Sequence, residues 1–178
     1  MVWVPAGVPT SPAPTVSLPG YWIDTFEVSN REFKAFVDAG GYTTEKYWTQ
    51  PFVKNGRELS WTQAMEELRD LSGRRGPAGW QLGTYPDGAG NMPVAGVNWY
   101  EAAAYAEFAG KQLPTVYEWY GAAGANGGIS DILPASNIEG HGPMPVGAPR
   151  GMARFGSYDM AGNTAPARTA RTTCPWPA

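Results

Sequence analysis

Cysteine and histidine are nearly absent: Cys174 and His141 are the only ones in 178 residues. A disulfide within the chain, a Cys-rich zinc site and a His/Cys catalytic pair each need more partners than this, so counting alone excludes most familiar active-site chemistry. Charge is also sparse, with 16% Asp, Glu, Lys and Arg and a net −3. The scattered Lys and Arg build no basic face for a phosphate backbone, which argues against nucleic acid as a partner. No apolar run reaches the ~18 residues that span a bilayer. Met1 to Gly7 has neither the basic nor the apolar segment of a secretion signal. The expectation is a soluble chain whose compartment stays open, since a piece of a larger secreted protein would read the same way.

Glycine (23) and proline (17) are abundant, together roughly twice their usual share, so much of the backbone belongs in turns and loops. Eight Trp, nine Tyr and six Phe nevertheless argue against disorder. The length suits one packed domain, and no 20–50-residue period marks a solenoid or propeller.

Helix starts recur. Ser29-Asn30-Arg31-Glu32 opens a segment with Phe33, Phe36 and Val37 on one face, closed by Gly40-Gly41. Ser60-Trp61-Thr62-Gln63 opens a shorter one over Ala64 to Leu68, with Glu66 and Glu67 solvated. Asn98-Trp99-Tyr100-Glu101 caps an alanine-rich segment that stops at Gly110 and suits a central helix. Thr115-Val116-Tyr117-Glu118, after Pro114, starts a fourth that runs towards Gly121 and Gly124. Strand candidates are Val2 to Val4, Trp22 to Val28 and Met92 to Val97, and Gly124 to Gly156 reads as one long ordered loop.

Five blocks stand in order: Leu18-Pro19-Gly20-Tyr21-Trp22-Ile23-Asp24-Thr25-Phe26-Glu27-Val28-Ser29-Asn30; Pro93-Val94-Ala95-Gly96-Val97-Asn98-Trp99-Tyr100-Glu101-Ala102; Gly110-Lys111-Gln112-Leu113-Pro114-Thr115; Glu118-Trp119; and Tyr158-Asp159-Met160-Ala161-Gly162-Asn163. Together they resemble the sulfatase-modifying-factor family, the formylglycine-generating enzyme domain. The resemblance covers residues 1–163 and implies an α+β architecture, a loop-rich modified C-type-lectin-like fold. Trp22, Trp99 and Trp119 read as core anchors, and Asp24, Glu27 and Glu101 as caps and loop clamps rather than acid/base catalysts.

After Asn163 the family pattern of an aromatic followed by Glu-Trp, and later Arg-Gly-Gly-Ser, gives way to Thr164-Ala165-Pro166-Ala167-Arg168. The C-terminal part of the family domain is therefore expected to be missing, and residues 164–178 to form a disordered tail outside it. A shifted reading frame and a genuine short C-terminus both explain that tail. A lectin-like core without its last strands would expose strand edges, so marginal stability is expected.

In aerobic members the resemblance implies a copper site of two C-terminal cysteines, which activates oxygen and oxidises a substrate cysteine to formylglycine. Cys174 alone supplies no such pair, so copper is not expected and Cys174 reads as an inert thiol. Relatives that make sulfur-containing histidine derivatives take iron-binding histidines from an extra helical domain; His141 reads instead as a loop residue. The resemblance further implies calcium at Asn137 and Ile138, and at the carbonyls around Gly162 and Asn163, where Pro166 replaces an acidic ligand.

The reading that follows is a non-catalytic binding or sensory module, recognising a protein or a small molecule and fused in a longer protein to a signalling domain. A fragment of a formylglycine-generating oxidase and a variable binding protein on the same scaffold are the alternatives.

Overall fold

The computed structural model describes residues 1–7, 17–124, 137, 142–148, 151–160 and 162–163, with the backbone of 173–174. Among the described residues four short α-helices are set among loops and two small sheets: α1 (Asn30–Asp38), α2 (Trp61–Met65), α3 (Trp99–Phe108) and α4 (Val116–Ala123). β1 (Val2–Val4) and β5 (Thr173–Cys174) flank β2 (Tyr21–Ile23) in one antiparallel sheet, while β3 (Phe52–Lys54) and β4 (Arg57–Leu59) form a hairpin. The mixture is α and β, as expected.

All four helices begin on capping boxes, in which Ser29, Ser60, Asn98 and Thr115 accept from the third helical N–H while Glu32, Gln63, Glu101 and Glu118 reach back. The side chains thus satisfy N–H groups that the helix itself leaves open. α1 ends where Gly40 turns left-handed at φ +78°. A Cβ on the next residue, Gly41, would lie 2.3 Å from the Phe36 ring, so only glycine lets Tyr42 fold back over it.

That aromatic closure makes the larger core. Phe33 and Phe36 are fully buried; Phe33 stacks on Tyr105 of α3 at 5.3 Å, and Phe36 meets Tyr42 at 5.7 Å. Each such ring contributes about 1.5–3 kcal/mol of burial. Trp80 donates from its indole to Asn30 Oδ1 at 3.0 Å and Trp48 to the Gly41 carbonyl at 2.9 Å, so both indoles are buried with their polar atoms satisfied. A second, smaller core joins Val4, Tyr21 and Ile23 of the sheet to Ala122 and Ala123 of α4 and to Met160.

Several expectations are corrected. The Trp22 to Val28 region is a strand only as far as Ile23. Met92 to Val97 is no strand: one bridge joins Ser29 to Pro93, which has no N–H to continue a ladder, and Gly96 turns away at φ +74°. α2 stops at Met65, because the Glu66 carbonyl accepts from Arg69 Nε and the Leu68 carbonyl from the Gly76 N–H. Trp99 is 44% exposed rather than a core anchor, since as the first residue of α3 it has no preceding turn to lie over. Trp80, at 2%, and Trp48 hold that place, while Trp22 and Trp119 are half-buried.

Of the long loop, 142–148 and 151–156 carry neither helix nor strand. Ile138, His141 and the tail residues 164–172 and 175–178 lie outside the described residues, as do the side chains of Thr173 and Cys174.

Candidate functional site

An open cleft of about 500 Å³ lies where β2 runs into the start of α1. Its wall is built from the chain upward. Ile23, fully buried, anchors the end of β2, and the next residue, Asp24, emerges at the rim. Lys111 reaches it from the far side, with Nζ 2.6 and 2.8 Å from the two carboxylate oxygens. The end of α3 sets that reach: Gly110 turns at φ +66° and the Lys111 N–H returns to the Ala106 carbonyl at 2.8 Å, which closes the helix and aims the side chain back across the cleft.

Glu27 is deeper, 2% exposed, and Oε2 accepts from Asn163 Nδ2 at 3.0 Å. Asn163 is saturated in turn: Oδ1 accepts from the Met144 N–H at 2.8 Å and Nδ2 also donates to the Met144 carbonyl at 2.9 Å. A buried carboxylate is tolerable only with such partners. The same loop is tied to the cleft's other side by the Val146 N–H, which donates to the Asn91 carbonyl at 2.8 Å.

Glu32 completes the rim. Its Oε2 accepts from the Ser29 N–H at 2.8 Å and from Ser29 Oγ at 2.6 Å, while among the described residues Oε1 has no partner. Arg31 also lines the cleft and carries neither hydrogen bond nor ion pair among the described residues. Tyr105 enters from beneath, its ring stacked on Phe33 in the core. Burial, then the charges of Glu32 and Asp24, push its phenol well above the ordinary tyrosine range, which puts the hydroxyl within the field of both carboxylates.

The structure brings Asn137 and Asn163 together. Asn137 Nδ2 donates to Asn163 Oδ1 at 3.0 Å and to the Gly142 carbonyl at 2.7 Å. Gly162 stands beside them with its N–H on the Asp159 carbonyl at 3.2 Å. These oxygens are of the hard kind that Ca²⁺ takes, but the Asn137 amide nitrogen stands among them, and the Glu27 carboxylate reaches the group only through Asn163 Nδ2. As folded, the pair is a hydrogen-bonded clamp at the foot of Glu27.

Asp24, Glu27 and Glu101 are clamps and caps, as their sequence context implied. Glu101 lies outside the cleft: its carboxylate accepts from Tyr42 Oη at 2.5 Å and from the Asn98 N–H at 2.7 Å. Burial nevertheless pushes its carboxyl up to about 7, against the pull of these two bonds. Tyr105, Lys111 and Arg31 were not singled out by sequence reasoning. Lys111 follows a helix-ending glycine, which marks a side chain leaving the helix but not its partner 87 residues away.

Comparison with known proteins agrees with this architecture. Residues 1–166 match the sulfatase-modifying factor enzyme 1-like domain. Hercynine oxygenase of Mycolicibacterium smegmatis is 31% identical over 93% of this chain and 40% of its own length. Formylglycine-generating enzyme of Thermomonospora curvata is 34% identical over 85% of this chain and 60% of its own. Serine/threonine-protein kinase pkn1 of Chlamydia pneumoniae is 28% identical over 85% of this chain and 23% of its own. The chain thus spans less than two thirds of each. With the family match running from the first residue through the Asn163 clamp, the chain belongs to the sulfatase-modifying factor enzyme 1-like domain family.

Proposed function

We propose that this domain is a recognition module rather than an oxidase. The observation that carries this reading is the state of the cleft: Asp24 is paired with Lys111, Glu27 is held by Asn163, and Glu32 is shared with the cap of α1. These groups fix a preformed polar cleft, and preorganisation of that kind favours binding. A copper site of two thiolates does not fit the donors of this chain, which has one cysteine. Similarity to a protein kinase over most of the chain supports a module fused to a signalling domain, sensing a protein or small molecule.

A second reading, part of a formylglycine-generating oxidase, is supported by 34% identity to the enzyme from Thermomonospora curvata. Titration of the chain with Cu(I) separates the two. Recognition alone predicts no tight one-to-one complex, and stoichiometric binding that resists a competing chelator would favour the oxidase.

A further inference from the structure

Tyr105 poses a specific question. The residue is 7% exposed, its ring is stacked on Phe33 and set edge-on to Phe36, and yet its hydroxyl has no hydrogen-bond partner among the described residues. Among the described residues Trp61 Nε1 is the buried side-chain polar atom left without a partner, so the Tyr105 hydroxyl is not sealed in the core but meets the cleft, where a ligand can reach it. The hydroxyl belongs to the cleft wall. The same cleft is lined by Asp24, tied to Lys111, and by Glu32, whose Oε1 is unengaged among the described residues.

The surroundings have two poles. Tyr105 Oη and Glu32 Oε1 are acceptors in a negative field, suited to an ammonium group. Arg31, adjacent in sequence and lining the same cleft, is a guanidinium with no carboxylate partner among the described residues, suited to an anion. Lys111 does not compete for that role, because both oxygens of Asp24 hold it. Neither a simple cation nor a simple anion would satisfy both poles.

We propose that this cleft binds a small zwitterion of the α-amino-acid type, its ammonium on Tyr105 and Glu32 and its carboxylate on Arg31. This rests on the recognition reading and names the ligand class of that site.

The test is calorimetric titration of the full chain at neutral pH with three probes: L-alanine, propionate, which has only the carboxylate, and ethylammonium, which has only the cation. L-alanine is expected to bind roughly tenfold or more tightly than either half. Tyr105→Phe keeps the ring in the core and is expected to weaken L-alanine by a similar factor while its thermal melt stays that of the parent. Arg31→Gln, at an exposed position, is expected to bring L-alanine down to the level of ethylammonium. L-alanine no tighter than the half-probes, no binding by any of the three, or full affinity in Tyr105→Phe would each overturn the proposal. None of these titrations reads cysteine oxidation, so recognition as such stands or falls separately.

Discussion

Glu101 shows how a buried carboxyl turns into pH dependence. Its folded value of about 7 lies above the ordinary 4.5, so between those values the folded protein binds more protons than the unfolded chain. The resulting stabilisation is complete below about pH 4.5 and is lost as pH rises through 7. The shift corresponds to a contribution on the order of 3 kcal/mol. Chemical denaturation at pH 5 and pH 8 is therefore expected to show a larger fall for the parent than for Glu101→Gln, which keeps the cap oxygen and does not titrate; equal falls would refute this. Asn163 makes the complementary case. Asn163→Ala leaves Glu27 buried without its donor and is expected to cost about 3 kcal/mol in denaturant melts. Pairing it with Glu27→Gln should recover much of that loss, because the charge that needed the donor is then gone.

At the scale of elements, helix starts were legible because a capping box is complete within four residues: Ser29 with Glu32, or Thr115 with Glu118, needs no distant partner. The β3–β4 hairpin was equally local and was overlooked. Asn55 and Gly56 both have positive φ, 51° and 75°, as a two-residue turn requires, but Phe52-Val53-Lys54 is too short to stand out by alternation. Gly56→Ala is expected to cost about 1 kcal/mol, although a Cβ there meets no atom within 4 Å, because the penalty is conformational rather than steric. An unchanged melting midpoint would show that the turn does not hold its residues in this geometry. Strand readings failed where apolar composition was judged without its backbone: Pro93 and Gly96 break a run that otherwise resembles a buried strand. Exposure of Trp99 reflects its place at the first turn, which residue type alone does not reveal.

For the whole molecule, the family was legible because five blocks recur in order, and they are largely the caps, turns and clamps described above. The cleft was not. Its defining contacts join Asp24 to Lys111 and Glu27 to Asn163, across 87 and 136 residues. Nothing local in the chain announces such pairs: the packing of α1 on α3 through Phe33 and Tyr105 brings Lys111 towards Asp24, and the Tyr158 N–H on the Thr25 carbonyl, at 2.8 Å, holds the Asn163 segment beside Glu27. Among the described residues no helix is long and apolar enough to cross a membrane. On the function proposed above, this architecture recognises a ligand without oxidising a cysteine. The most direct test incubates the full chain with Cu(I), dioxygen and a cysteine-containing sulfatase peptide, then reads the peptide by mass spectrometry. A recognition module leaves the peptide cysteine as unmodified as a copper-only control does, and formylglycine formed with turnover would overturn that role.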